Sequence, residues 1–213
     1  MKTKFKHILV ILCLSMISCE GNLEPELFDQ ITPENFLTNE DDVKTAVTGV
    51  YAEFRGISEW GRYKTSWGSV MTLQEVPTDL WAANWFYKAH TDFMWKATDY
   101  FVCEIFEFFV PAITKATALI ARIQDAPVSD DIKNRYIAEL RVVRALWMYD
   151  LFDLYGPVPA ITDPEKILNP TQDFTVTRPS REEYITFVET ELKEVINAKI
   201  LPVAWTCLLY TSP

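Results

Sequence analysis

Tryptophan is concentrated in one stretch of the sequence, because five of the seven tryptophans lie between residues 60 and 95. Four side chains of complementary type follow one another within it: Asp79, Trp81, Asn84 and Trp85. A flat indole ring can stack on the apolar C–H face of a sugar, while nearby amides and carboxylates bind its hydroxyl groups. These residues are therefore a candidate glycan-binding group. The alternative is that the rings pack beneath a loop, since tryptophan is highly buried on average.

Catalytic side chains are less evident. A glycoside hydrolase needs two carboxyl groups with separated pKa values in a cleft. Glu75 and Asp79 are four residues apart and could face each other, but acidic residues are common in this chain, so the alternative is two solvated charges. His90 is the only histidine beyond the N-terminal segment, which excludes zinc sites built on several histidines or cysteines. We expect no catalytic residue, no metal site and no cofactor.

The N-terminal segment indicates export and lipid attachment. Three lysines precede an apolar run over residues 8–17, which is too short to span a bilayer but suits a signal-peptide core. Ser18 and then Cys19 complete the pattern of a bacterial lipoprotein signal, in which the cysteine thiol takes the lipid. We expect residues 1–18 to be removed and Cys19 to anchor the chain to a membrane. The alternative is an ordinary secretory signal with a chance cysteine.

Charge and cysteine content restrict the partners. The formal net charge is −10, and it becomes −13 when residues 1–18 and their three lysines are removed. An acidic chain without a basic stripe repels nucleic acid, which we therefore exclude as a partner. Apart from the signal segment and Cys19, only Cys103 and Cys207 remain, so we expect no disulfide framework.

Helical periodicity dominates the rest of the chain. Apolar residues recur at spacings of three and four in four segments, which predicts amphipathic helices over residues 43–54, 92–125, 130–155 and 180–201. Residues 157–179 contain five prolines and are expected to form a loop. Long helices joined by such loops favour antiparallel pairs similar to tetratricopeptide repeats. The predicted fold class is all-α, with long aromatic loops.

Local signals predict how the helices begin and end. Thr38 or Asn39 can cap the first helix. Pro111 predicts a kink or two abutting helices in the second. Gly156, in a left-handed C-terminal cap, should end the third. A Ser-x-x-Glu capping box over residues 180–183 should begin the fourth.

The segment from Arg141 to Pro159 carries the most recognisable pattern, R-V-V-R-A-L-W-M-Y-D-L-F-D-L-Y-G-P-V-P. It resembles a signature of the SusD/RagB family of outer-membrane nutrient-binding lipoproteins, roughly R-A-L-R-A-x-x-Y-F-x-L-V-x-x-Y-G-x-V-P. The signature positions are Arg141, Arg144, Tyr149, Tyr155, Gly156 and Pro159. We interpret the two arginines as structural, since guanidinium groups bind carboxylates or carbonyl ends of adjacent helices.

Three further segments resemble the family in the same order: residues 33–51, 113–126 and 178–202. Thr114 and Thr117 stand where the family often has asparagine. The resemblance extends to about residue 203, and family members are about twice this length or more. We therefore expect a tether over residues 19–38, an incomplete helical domain over 39–203 that lacks its C-terminal half, and a non-native tail over 204–213.

The resemblance implies a function and a location. It implies a lipoprotein at the cell surface of the outer membrane that binds a starch-like polysaccharide or its oligosaccharides. The protein would deliver them, without turnover, to a TonB-dependent, SusC-like outer-membrane transporter. In the family, a tryptophan with a nearby asparagine contributes to glycan binding, which the resemblance assigns to Trp81 and Asn84. The alternatives are a helical adaptor lipoprotein that binds a protein or peptide, and a surface glycoside hydrolase.

Overall fold

Every regular element in the described part of the chain is an α-helix. The computed structural model describes residues 36–54, 70–80, 87–168 and 175–202. The helices are α1 (Glu40–Ala52), α2 (Val70–Glu75), α3 (Lys88–Thr91), α4 (Tyr100–Asp125), α5 (Asp130–Tyr155), α6 (Pro164–Leu168) and α7 (Arg181–Ala198). The predicted all-α class is confirmed. Within these ranges, no helix has both the length and the apolar character needed to span a lipid bilayer.

Helices α4 and α5 form an antiparallel pair. Their connection is only four residues long, and hydrogen bonds join opposite ends of the two helices. Near the connection, Lys133 Nζ donates to the carbonyl of Gln124 at 2.9 Å. At the far end, the Tyr155 hydroxyl donates to the carbonyl of Val102 at 2.6 Å. A short connection with this end-to-end correspondence defines antiparallel neighbours.

Helix α7 adds a second antiparallel neighbour to α5. The Tyr184 hydroxyl, at the start of α7, donates to the carbonyl of Met148 near the end of α5 at 2.9 Å. The predicted capping box is confirmed, since the Ser180 amide donates to the Glu183 carboxylate at 2.8 Å and the Glu183 amide donates to Ser180 Oγ at 3.2 Å. Satisfying two free backbone donors in this way fixes where the helix begins.

Helix α1 covers the other side of the α4–α5 pair. Asn39 caps it, accepting a hydrogen bond from the Asp42 amide, and Val43, Val47 and Val50 are buried. Beyond its end, the Phe54 ring lies 4.9 Å from the ring of Trp147, which also stacks on Phe109 at 6.2 Å. The apolar core therefore lies between α1, α4 and α5 and centres on the fully buried Trp147.

The predicted start of α4 was wrong. The helix begins at Tyr100 instead of residue 92, because Asp99 is extended and its carboxylate accepts the Lys96 amide at 2.8 Å. Of the two outcomes predicted at Pro111, two abutting helices are excluded, since α4 runs as one helix through the proline, and a kink stays a prediction. The buried neighbours Phe109, Ala112 and Ile113 pack against the core on both sides of the proline, and such packing holds helices whose local sequence is unfavourable.

The end of α5 also differs from expectation. Gly156 has φ 73° and ψ −159°, which is not the left-handed helical conformation that we predicted. A side chain at this φ would still be strained, so glycine suits the position. Within the predicted loop, residues 164–168 form the short helix α6, which begins at Pro164. Proline is favoured at a first helical position because its missing amide would be unpaired there in any case.

Candidate functional site

Most of the predicted glycan-binding group lies outside the described residues. Trp81, Asn84 and Trp85 fall there, and so does the lipidation candidate Cys19. Asp79 is described and is exposed in the turn that follows α2. The neighbouring part of the aromatic stretch, residues 87–100, is described and carries the site that follows.

A pocket of about 560 Å³ lies where α2, α3, the start of α4 and the end of α5 meet. Its volume is within the range of small-molecule pockets. The described residues of its wall are Leu73, Gln74, Pro77, His90, Trp95, Ala97, Val102, Asp153, Leu154 and Tyr155. The wall thus combines apolar surface with an indole, an imidazole, an amide and a carboxylate.

A turn after α3 places Trp95 over His90. The Phe93 amide donates to the carbonyl of His90 at 3.2 Å, and the Met94 amide donates to that of Ala89 at 2.7 Å. This pair of bonds is the Schellman pattern, in which glycine usually occupies the position with positive φ. Phe93 occupies it here, with φ 57°. The chain therefore returns on itself, and the indole of Trp95 stacks on the imidazole of His90 with ring centroids 6.0 Å apart and planes 13° apart.

The same turn exposes a set of apolar side chains, which we name the aromatic strip: Phe93, Met94, Trp95 and Tyr100. Phe93 is 67% exposed, Trp95 is 41% exposed and Tyr100 is 68% exposed. The rings of Phe93 and Trp95 are 5.6 Å apart. Large apolar side chains adjoining a pocket are typical of binding surfaces. Of the aromatic strip, Trp95 lines the pocket, and its partly exposed ring is available to a ligand there.

Two hydrogen bonds fix the polar part of the wall. Gln74 Nε2 donates to Asp153 Oδ2 at 2.8 Å, which joins α2 to the end of α5. The signature residue Tyr155 donates to the carbonyl of Val102, and its ring packs edge-on against Phe106 at 5.7 Å. Burial raises the pKa of Tyr155, so the phenol remains a hydrogen-bond donor. Tyr155 therefore supports the pocket by holding α5 to α4.

His90 is the most unusual member of the wall. It is 5% exposed, and neither ring nitrogen has a hydrogen-bond partner. Its ring packs between Trp95 and the edge of Phe101, which is 5.8 Å away. Burial lowers the pKa of His90, while the charge of Asp99 acts in the opposite direction. The imidazole is therefore neutral at pH 7 and has one unused donor and one unused acceptor.

The signature arginines lie in a different place, at the junction of α4, α5 and α7, which we name the arginine junction. Arg141 pairs with Glu191 at 2.8 Å and also with Glu194. Arg144 is buried, pairs with Glu191, and donates to Thr117 Oγ1 at 2.8 Å. These contacts join three helices.

The remaining signature positions lie in different parts of the structure. Gly156 ends α5, and Pro159 is half-buried beyond it. Tyr149 is 58% exposed on α5. None of the three lines the pocket beneath Trp95.

A second pocket, of about 400 Å³, lies between the segment after α5 and the start of α7. Its wall includes charges of both signs, namely Asp163, Lys166, Arg178 and Glu183. The described wall contains no tryptophan. Its composition is less suited to stacking on a sugar than that of the pocket beneath Trp95.

The chain is similar in sequence to a known protein. No protein-family model matches the chain. A curated SusD-like protein, P38 of Formosa agariphila, is 25% identical over 203 residues, which cover 90% of this chain and 37% of the relative. In sequence, the chain therefore resembles a SusD-like protein. It spans little more than a third of the length of this relative.

Solved structures of SusD-like proteins share the fold. One from Bacteroides fragilis superposes with a TM-score of 0.60 at 22% identity, covering 82% of this chain and 32% of that protein. A laminarin-binding SusD-like protein superposes with a TM-score of 0.55 at 22% identity, covering 75% of this chain and 34% of that protein. The predicted tetratricopeptide-like arrangement of helix pairs is therefore confirmed.

Sequence analysis did not select His90 or Trp95 as site residues. Trp95 was visible as a member of the tryptophan cluster, but nothing in its local spacing distinguished it from the other four. His90 was noted only for its rarity. Their juxtaposition depends on the turn at Phe93, which no sequence rule predicts, because glycine is the usual signal for such a turn.

Proposed function

We propose that this chain is part of a glycan-binding protein without catalytic turnover. The observation that carries the proposal is the half-exposed indole of Trp95 in the wall of a pocket of about 560 Å³. An exposed ring supplies the apolar platform that a pyranose face requires, and the polar wall beside it supplies hydrogen-bonding groups for hydroxyls. The laminarin-binding relative supports the same class of ligand.

The candidate residues Trp81, Asn84, Trp85 and Asp79 belong to this proposal as well. Asp79 is close in sequence to Pro77, which lines the pocket, and the other three precede Tyr87 in the same aromatic stretch. We expect Trp81 and Trp95 to act as separate stacking rings on one glycan chain. Losing both should weaken binding more than losing either one.

We further propose that Cys19 carries a lipid anchor and that the protein works at the outer-membrane surface. It would transfer oligosaccharides to a TonB-dependent, SusC-like transporter. The lipoprotein signal pattern at residues 8–19 and the likeness to SusD-like proteins support this placement. A gene for such a transporter next to the gene for this chain is the expected finding, and its absence would count against transfer. Labelling with radioactive palmitate, abolished in Cys19→Ala, tests the anchor.

Affinity electrophoresis tests glycan binding directly. The protein is run through native gels that contain laminarin, starch or alginate, and its retardation is compared with that in a gel without glycan. Retardation by at least one glycan, reduced in Trp81→Ala and in Trp95→Ala, is the expected result. Equal mobility in every gel would refute glycan binding.

The main alternative is an adaptor that binds a protein or peptide through the aromatic strip. Consecutive exposed side chains at Phe93, Met94 and Trp95 are the observation that favours it, since exposed apolar patches also mark protein interfaces. Electrophoresis separates the two functions, because an adaptor is not retarded by glycans. Release of reducing ends from the retarding glycan would instead favour the hydrolase alternative.

A further inference from the structure

Buried polar atoms in folded proteins almost always have a hydrogen-bond partner, so an exception needs a physical explanation. His90 is such an exception at both ring nitrogens. It is at least nine-tenths buried, and it lines the pocket beneath Trp95. An imidazole that lines a pocket can be satisfied by whatever enters it.

Trp147 provides a contrast. Its indole nitrogen is also buried without a partner. Yet Trp147 lies in the closed core against Phe54 and Phe109, and it lines neither described pocket. No ligand can reach that nitrogen, so Trp147 is explained by packing alone. His90 differs because its ring lines the pocket, although its two nitrogens are themselves buried in this conformation.

We propose that the pocket is a subsite for one neutral pyranose unit and that His90 is its specificity-determining residue. This inference rests on the proposed glycan-binding function. The Trp95 indole turns outward as the sugar enters, the sugar stacks on it, and the exposed imidazole hydrogen-bonds to a sugar hydroxyl. A hydroxyl is both donor and acceptor, so it can pair with either nitrogen of a neutral imidazole.

Two other polar residues of the wall complement the imidazole. Gln74 and Asp153 use one atom each in their mutual hydrogen bond. The Gln74 carbonyl oxygen and the second Asp153 oxygen remain as acceptors for hydroxyl donors. A pyranose unit in the pocket can therefore donate to Gln74 or Asp153 and pair with His90. Hydrogen bonds to more than one wall residue fix the orientation of a stacked ring as well as its affinity.

Charge determines the class of sugar. Asp153 lines the pocket, Asp99 lies close enough to His90 to affect it electrostatically, and the whole chain carries a formal charge of −10. A uronate or a sulfated sugar would meet repulsion at this site, because like charges in a partly enclosed pocket are weakly screened. The subsite therefore selects neutral hexoses over acidic ones.

The test compares His90→Phe with wild type in three gels. Two contain the neutral glucans laminarin and starch, and the third contains alginate, a polyuronate. Phenylalanine keeps the ring between Trp95 and Phe101 but removes both nitrogens. We expect about a tenfold loss of affinity for the neutral glycan that retards the wild type, as for one lost hydrogen bond. His90→Gln, which retains a donor and an acceptor, should recover part of the affinity.

Tyr136→Phe is the matched control. It also removes a polar atom from a buried ring, but Tyr136 lies at the start of α5 and lines neither described pocket. We expect its affinity to equal that of wild type. If His90→Phe does not fold, Gln74→Ala and Asp153→Ala test the other two polar residues of the subsite. An unchanged affinity in both variants would overturn the subsite.

The outcomes distinguish this inference from the function on which it rests. Wild-type affinity in His90→Phe, together with weakened binding in Trp95→Ala, would overturn the subsite and leave glycan binding intact. Stronger retardation of wild type by alginate than by neutral glucans would also overturn it. A wild type that no glycan retards would refute the function and the subsite together.

Discussion

The arginine junction and the pocket beneath Trp95 differ in how far their buried polar groups are paired, although Arg144 Nε in the junction also has no partner. At the junction, Arg144 and Glu191 are both buried and form an ion pair, and Thr117 accepts a further bond from Arg144. In the pocket, His90 is equally buried and has no partner, and Phe93 holds a backbone conformation that favours glycine. The first region is arranged for stability, whereas the second retains features that reduce it.

This contrast teaches where function should be sought in the fold. Strained residues and unsatisfied polar groups are unfavourable in the folded state, and they tend to occur at functional sites, where a ligand compensates for them. The signature segment is the most recognisable part of the sequence, but its two arginines are committed to ion pairs with Glu191 of α7. The less recognisable residues 87–100 have spare hydrogen-bonding capacity at His90.

Arg144→Ala should have the largest effect on stability. It leaves Glu191 buried with only Arg141 as its partner, and breaking a buried ion pair typically destabilises by about 3–5 kcal/mol. Urea denaturation followed by circular dichroism measures the loss. The double variant Arg144→Met with Glu191→Leu should be much less destabilised, since it removes both charges. Equal losses in the two variants would contradict the role assigned to the ion pair.

Trp95→Ala should weaken glycan binding more than it changes stability. We expect about a tenfold loss of glycan affinity, because an aromatic contact at a binding surface is worth about 1 kcal/mol or more. Affinity electrophoresis against the retarding glycan measures it. Tyr149→Ala is the control, since Tyr149 is also an exposed aromatic residue but lies outside the pocket. A comparable loss in Tyr149→Ala would show that the effect is not specific to the pocket.

Phe93→Gly should stabilise the fold while weakening binding. Glycine removes the strain of a side chain at positive φ, a gain of about 1 kcal/mol, and little apolar burial is lost because Phe93 is largely exposed. Thermal unfolding should show a higher Tm, and electrophoresis should show less retardation by glycan. Unchanged retardation would exclude Phe93 from the stacking surface.

His90→Phe should alter the pH dependence of stability. The folded-state pKa of His90 lies below its ordinary value of 6.5, because burial disfavours the charged form. The stabilising contribution is therefore fully present above pH 6.5 and is lost as pH falls through the lower folded-state pKa. As the pH falls from about 7.5 to about 5, the Tm of His90→Phe should rise relative to that of wild type, since the variant has no imidazole to protonate. A constant difference would mean that His90 does not titrate in this range.

The helices of the chain could be predicted from local sequence with good accuracy. The spacing of apolar residues and the end signals gave α5 its bounds at Asp130 and Tyr155, and the capping box placed the start of α7. Local rules did not predict that α4 continues as one helix through Pro111, where buried neighbours pack against the core, or that a turn forms at Phe93. The first depends on contacts between parts of the chain that are distant in sequence, whereas the second is a local turn in which phenylalanine occupies the position usual for glycine.

The candidate site was only partly predictable for the same reason. Composition drew attention to residues 60–95 as an aromatic stretch, and family resemblance selected Trp81 and Asn84, which lie outside the described residues. Neither line of reasoning could tell an exposed indole from a buried one. Trp95 is half-exposed and Trp147 is fully buried, although both are tryptophans in largely apolar surroundings.

The sequence by itself determined the all-α class, the order of the principal helices and the likeness to SusD-like proteins. These depend on local spacing and on one recognisable segment, both of which can be read along the chain. The tertiary structure alone decided that α2, α3, α4 and α5 meet around one pocket and that His90 is buried there beneath Trp95. Burial and unmet hydrogen-bonding capacity depend on neighbours that are distant in sequence, so they become defined only when the helices pack together.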